Sequence, residues 1–443
     1  MVNNNNMENL NLKLGTAKID ITPKHPIPLA GFAHRQGNFE DVIHPLHARI
    51  LLFKQTEADG TRQNVLIVSA DLIWWGSERI PVLKERLQRE FGFTFSSMLF
   101  HATHNHSGPQ TSGRFTPSLG PLDFRYVVEA LEERIIDGVR SALQNLESVR
   151  IDRGTGYCGF SINRRKVVEG EMTMAPNPDG PSDPEVTVLR FVRETGSTKA
   201  LLVHYACHAT TTGDNFVSSE FPGIAMDYLE DKIGGTTVAA YLQGYCGDVR
   251  PALIRDGAFY RGDDQEVCRL GQTLGDEVLR VMQSQMEALQ TSRIISQTLT
   301  VDLPLQNLPT RSELKTKSAE GGIYAEWAEI LMKHPERIHS SVPLEMTWVH
   351  LAEGLSLLTA NAEMVVSYGL FIKDKFARRI LPVGYTNGMI GYVPTARQID
   401  EGGYESKDSV LYFGQPAPFD PLVEERICTE IQRLAERKDE TCR

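Results

Sequence analysis

The sequence predicts an α/β (α+β) fold, a mixed β-sheet core flanked by helices. Apolar runs of strand length and amphipathic segments of helix length are interspersed along the chain rather than segregated. No internal repeat appears, and no long low-complexity linker divides the chain. The strand candidates are Ala48–Phe53, Asn64–Leu72, Ser97–Thr103, Val186–Val192, Leu201–His208 and Thr237–Leu242. Between them lie helix candidates Glu78–Phe91, Asp123–Leu146, Phe221–Ile233 and Glu266–Leu289. The second of these carries Phe124, Val127, Leu131, Ile135 and Val139 on one face. Trp348–Thr359 reads as a hairpin turning at Glu353-Gly354, and Pro421–Arg437 as a final helix. Residues 1–10 are expected as a disordered tail. Residues 11–443 are expected as a single domain with a helical excursion near 309–341.

Composition narrows the function classes. With 443 residues the chain can bury a large core. Its net charge of -11 leaves no excess of Lys and Arg to neutralise a phosphate backbone, so nucleic acid is a poor partner. The polar, Asn-rich start has no basic segment followed by an apolar run, so no signal peptide is read. No run of about 18 apolar residues exists, so no membrane span is expected. The six cysteines show no CxxC pair and read as free thiols in a reducing cytoplasm, although their even number leaves disulfides open.

The chemistry gathers where strands end. Ser97–Thr103 runs into His104-Asn105-His106, after which Ser107-Gly108-Pro109 turns the chain. Residues two apart in an extended chain point the same way, so His104 and His106 project together while His101 faces the other side. Paired imidazoles beyond a strand end suit a metal, or else a hydrogen-bonded pair of polar histidines. Other apolar runs also end on polar groups: Asp71, Cys207-His208 and Glu363, with Tyr392 in Gly391-Tyr392-Val393-Pro394-Thr395. Singly, Asp71 reads equally as a helix cap, Tyr392 as core and Glu363 as a helix N-terminal charge. Together they predict a shared site at strand ends, where ligands bind in open α/β sheets.

An ordered set of motifs resembles the catalytic domain of the neutral/alkaline non-lysosomal ceramidases. The matching pieces are Gly15 through Pro23 (GTAKIDITP), Ser69-Ala70-Asp71-Leu72, Ala102 through Pro109 (ATHNHSGP), Tyr205-Ala206-Cys207-His208, Ala362-Glu363-Met364, and Tyr392-Val393-Pro394-Thr395 through Tyr404-Glu405-Ser406. The resemblance implies zinc (Zn2+) held by His104, His208, Glu363 and Tyr392. It implies His106 beside the metal as a proton-handling residue, and Tyr404 as a second active-site tyrosine. Arg164 matches an active-site arginine or forms a surface ion pair. The implied chemistry is amide hydrolysis by metal-activated water. Asp71 is expected behind the ligands, orienting an imidazole.

The sequence departs from the family at Gly247-Asp248-Val249-Arg250-Pro251, where the family carries a serine that has been proposed as catalytic and this chain has Arg250. Arg250 either binds an anionic substrate or pairs with an acid such as Asp248. The family's further C-terminal domain and export signal are not read in this chain, so a small or soluble N-acyl compound is expected rather than membrane ceramide. Ester or lactone hydrolysis on the same metal, or a non-catalytic ligand-binding role, are the alternatives. A homo-oligomer is left open, as is a second metal.

Overall fold

The run Ala48–Phe53 is buried at every position, which a strand achieves only when both faces of its sheet are covered. Its side chains alternate between two cores. Ile50 and Leu52 enter one, with Ile135, Ile136 and Val139; Leu51 and Phe53 enter another, with Val349, Leu351 and Leu357. The architecture follows from that alternation: helices, a large sheet, a second sheet and further helices, in layers. The computed structural model describes residues 11–57 and 60–441; the expected tail 1–10 lies outside them.

Eight strands lie side by side in the order Val238–Gln243, Thr198–Tyr205, Glu185–Arg193, Glu147–Tyr157, Leu12–Asp20, His47–Thr56, Arg62–Ala70 and Met98–Ala102, and Glu287–Leu289 joins beside Glu147–Tyr157. The first pair and the last pair are parallel, and the pairs between are antiparallel. This is the expected mixed sheet. Its two edges curl toward each other. The Gln243 N–H donates to His101 Nε2 at 2.9 Å, and Ser69 Oγ donates to the Tyr241 carbonyl at 2.6 Å. His101 is therefore part of the seam that joins the edges.

Helices Ile80–Phe91 and Glu132–Gln144 cover one stretch of the outer face, and Glu220–Ile233 and Asp264–Gln283 cover another. Helix and strand approach closely at Gly15, where a Cβ would stand 2.0 Å from the Ala142 carbonyl oxygen. The second sheet contains Ile295–Pro304, Ser341–Ala352, Leu355–Ala360 and Ile380–Val383. Its far face packs on Val366–Lys375 and on Val423, Ile427 and Ile431 of the final helix, Leu422–Thr441. Helices Arg311–Ala319 and Gly322–Lys333 form between the first two strands of this sheet, in the stretch read as a helical excursion.

Two long helices are shorter than their apolar periodicity suggests. Asp123–Leu146 ends at Gln144, and the next strand begins at Glu147. Glu266–Leu289 ends at Gln283, and Glu287–Leu289 pairs with Glu147–Tyr157. In the second, sheet pairing takes over residues whose spacing still fits a helix. The five described cysteines are unpaired.

Candidate metal centre

Two pairs of backbone segments assemble the centre. Beyond Met98–Ala102 and Thr198–Tyr205, Asn105 bridges Ala209 in parallel, which brings His104 and His208 together. Beyond Leu355–Ala360, Glu363–Met364 pairs in parallel with Tyr392–Val393, with Glu363 directly opposite Tyr392. One edge strand of the large sheet and the strand next to its other edge supply the first pair, and the second sheet leads into the other.

His104 and His106 do converge, with ring centroids 4.6 Å apart, but strand alternation is not the reason. The strand stops at Ala102, and His104 takes a left-handed backbone with φ 60. Tyr385 and Asn387 share that conformation, with φ 54 and 63. Such strain persists only where surrounding structure holds it, and it concentrates at functional sites.

The imidazoles all face main-chain carbonyls through Nδ1: His104 to Ile73 at 3.0 Å, His106 to Gly31 at 3.2 Å, and His208 to Cys246 and Val249 at 2.8 and 3.0 Å. A carbonyl only accepts, so each Nδ1 carries the proton and each Nε2 turns a lone pair inward. Burial, then Arg164 and His104, pull the His208 imidazole down to about 3. Burial and the neighbouring imidazoles also hold His106 well below its ordinary value. Both rings are thus neutral at pH 7.

Acceptors now meet acceptors. His104 Nε2 lies 3.1 Å from His106 Nε2 and 3.2 Å from Glu363 Oε2. His208 Nε2 lies 3.4 Å from Glu363 Oε2, and only the Tyr392 O–H, 3.3 Å from His208 Nε2, brings a proton to this group of contacts. His104, His208 and Glu363 are at most 1% exposed. Buried lone pairs facing one another are costly unless a cation lies among them, so the donor set fits a metal. His104, His106 and His208 form one of two metal-capable groups among the described residues. In the other, His44, Asp264 and Cys268 are partly exposed, and a 2.6 Å His44–Asp264 contact accounts for the grouping.

Arg164 is buried rather than on the surface. Its Nε donates to Glu405 Oε1 at 2.8 Å and its Nη2 to Tyr392 Oη at 3.1 Å, while Nη1 lies 3.4 Å from His208 Nε2. Tyr404 packs its ring 5.5 Å from that of Tyr392. Asp71 does not orient an imidazole. Its carboxylate accepts from the His47 N–H at 2.9 Å and from Arg49 at 3.3 Å, and the carbonyls named above orient the rings instead. Its main-chain oxygen does hold Asn105 Nδ2 at 3.1 Å. Arg250 does not pair with Asp248, which accepts from the Val366 N–H, Gln398 and Asn163.

Sequence reasoning missed two residues. Glu405 clamps Arg164 and Arg165, and its place between Tyr404 and Ser406 was the available signal. Tyr385 stacks on His104 at 4.0 Å with its hydroxyl 3.5 Å from Glu363 Oε2. Nothing but the turn-rich run Gly384-Tyr385-Thr386-Asn387-Gly388 marks it. A surface cleft of about 660 Å³, lined by Glu78, Arg114, Glu326 and Arg337 among others, shares no residue with this cluster. Neither of the two metal-capable groups among the described residues lies in it.

The family model for neutral/alkaline non-lysosomal ceramidase, N-terminal, matches residues 12–300, more than half of the chain. A neutral ceramidase of Mycobacterium tuberculosis (strain ATCC 25618 / H37Rv) is 26% identical over 263 residues. That alignment covers 54% of this chain and 40% of the relative's length. The crystal structure of neutral ceramidase from Pseudomonas aeruginosa superposes with a TM-score of 0.73 at 19% identity, covering 96% of this chain and 74% of that one. A ceramidase complexed with C2 gives a TM-score of 0.72 at 18% identity with the same coverage. Among the described residues no helix is long and apolar enough to cross a membrane.

Proposed function

Because the chain belongs to the neutral/alkaline non-lysosomal ceramidase family, we propose that it is a zinc-dependent hydrolase of an amide bond in a small N-acyl compound. One observation carries the proposal: the lone pairs of His104 and His208, the Glu363 carboxylate and the Tyr392 phenol converge without protons enough to satisfy one another. Neutral imidazole and carboxylate are ordinary zinc ligands. A zinc ion held there supplies Lewis acidity, polarising a carbonyl and making water acidic near neutral pH.

The chain's own groups supply the rest. His106 presents an unprotonated Nε2 toward the cluster, the form a proton acceptor needs. Arg164, fixed by Glu405, keeps a permanent charge beside Tyr392, able to donate to an oxyanion that develops there. Tyr404 flanks the same edge. In the reaction the oxygen of water joins the acyl carbon, the C–N bond breaks and the amine leaves with a proton. His106 is only 8% exposed and Tyr392 5%, so little of the centre faces solvent. Residues 11–443 act as one catalytic domain in this reading.

Metal analysis joined to an assay panel tests the proposal. The panel holds N-acyl amino acids, short N-acyl amines, ceramides and esters. Near-stoichiometric zinc is expected, lost in His104→Ala and His208→Ala together with turnover, by on the order of 10³-fold. Full zinc occupancy in both variants overturns the site. Faster cleavage of long-chain ceramide than of small amides overturns the substrate preference, and faster cleavage of esters overturns the bond assignment.

A further inference from the structure

We propose that the substrate carries a carboxylate close to its scissile amide, as an N-acyl amino acid does, and that the Nε/Nη2 edge of Arg250 receives it. The inference rests on the hydrolase reading above and names its substrate class.

Arg250 belongs to the centre by position. It lies in the strand Val249–Pro251, and the carbonyl of its neighbour Val249 orients His208. It stands opposite Ile162 in register, two residues before Arg164. Its side chain is only 6% exposed, yet Nε and Nη2 have no hydrogen-bond partner. Those two nitrogens form the edge that grips a carboxylate with two parallel bonds. The same molecule shows the grip completed elsewhere: Arg79 donates from Nε and Nη2 to the two oxygens of Glu132 at 2.7 and 2.8 Å. At Arg250 the same edge meets no carboxylate.

No protein acid among the described residues fills the role. Asp248 is committed to other donors. Glu405 is committed to Arg164 and Arg165. Glu220 is buried and its charge acts on Arg250, but it forms no ion pair with it, and its Oε1 accepts from the Thr212 N–H. Further cations stand close by. The Arg261 guanidinium lies 4.0 Å over the Phe32 ring, Arg35 lies 4.8 Å from that ring, and Phe32 lies 5.0 Å from His106. Burial, then Arg261 and Arg164, depress Arg250 to about 9. In a chain of net charge -11, this concentration of positive charge at one point suits an anionic ligand. A buried guanidinium with no carboxylate hydrogen-bonded to it is costly, and a bound carboxylate removes that cost. The Phe259 ring lies 4.5 Å from the guanidinium carbon and keeps water from competing on that side.

The test uses a matched pair, N-hexanoyl-leucine and its decarboxylated counterpart N-hexanoyl-isopentylamine, with the wild-type holoenzyme. The kcat/KM ratio is expected to favour the acid by on the order of 100-fold. In Arg250→Gln the ratio should fall toward one, and in Arg250→Lys it should fall partway, since a point charge lacks the fork. A wild-type ratio near one, or a ratio unchanged in Arg250→Gln, overturns the proposal. Calorimetric binding of the same two compounds to metal-free wild-type protein separates the two readings. Tighter binding of the acid with no turnover of either compound sustains the anion site while the hydrolase reading fails. Equal binding overturns the anion site whatever the catalytic result.

Discussion

Two buried arginines, Arg49 and Arg250, have opposite surroundings. Arg49, 1% exposed, donates from Nε to Glu230, from Nη1 to Asp71 and from Nη2 to Asp227, and Lys18 closes the network from outside. Arg250, 6% exposed, has two nitrogens with no partner and stands beside a knot of facing lone pairs. The first cluster is complete in itself and ties the strand His47–Thr56 to the helix Glu220–Ile233. The second is complete only with something that no described residue provides. A satisfied buried network reads as structure, and an unsatisfied one as a binding site.

The largest expected effect that would break this contrast is on stability. Arg49→Leu leaves Asp71, Asp227 and Glu230 without their common cation and should cost about 3–5 kcal/mol in urea unfolding. Arg250→Leu removes a charge without a protein counter-ion and should cost far less. Equal losses would mean that Arg250 has a protein partner after all. A smaller effect is expected at Tyr385→Phe. The hydroxyl lies near Glu363 and Cys246, at 3.5 and 3.2 Å, and losing such support for a ligand should lower activity or metal affinity by roughly 10-fold. A loss as large as that of His104→Ala would make Tyr385 part of the chemistry.

The smallest effect concerns pH. Burial, then the charges of Arg49 and Lys18, pull His47 down to about 4. Between pH 6.5 and about 4 the unfolded chain therefore binds a proton that the folded chain refuses, and folding stability falls as pH falls. Asp71, raised to about 6 mainly by burial, works the other way over pH 6 to 3.8, because its folded form takes the proton first. His47→Gln should flatten the acid-side decline in unfolding midpoints. An unchanged slope would show that His47 titrates freely.

Much of the fold was legible because its strands are buried on both faces. A run such as Ala48–Phe53 admits few other readings, and the hairpin at Glu353-Gly354 is where it was expected. The motif histidines were legible as a group, yet the cause of their convergence was not. It depends on the left-handed backbone of His104 and on the meeting of two sheet edges, neither of which leaves a periodic trace. Asp71 shows the same limit. Its place at a strand end suggested service to the metal ligands, whereas its carboxylate turns to Arg49, a partner 22 residues earlier on the adjacent strand. Glu405 and Tyr385 gain their roles only from residues far away in the chain. The end of the helix Glu266–Leu289 was misjudged because sheet pairing of Glu287–Leu289 overrode a helical pattern.

The parallel pairing of Glu363 with Tyr392, set against the His104 and His208 loops, has a kinetic consequence. The four groups come from distant points of the chain, and no single segment holds more than one. Local collapse cannot assemble them, since bringing remote segments together pays loop-closure entropy before it gains contacts. The centre can form only after both sheets have closed on each other. In a refolding experiment, uptake of an ion at this point would serve as a clock for the last stage of assembly, running behind the signals that report secondary structure.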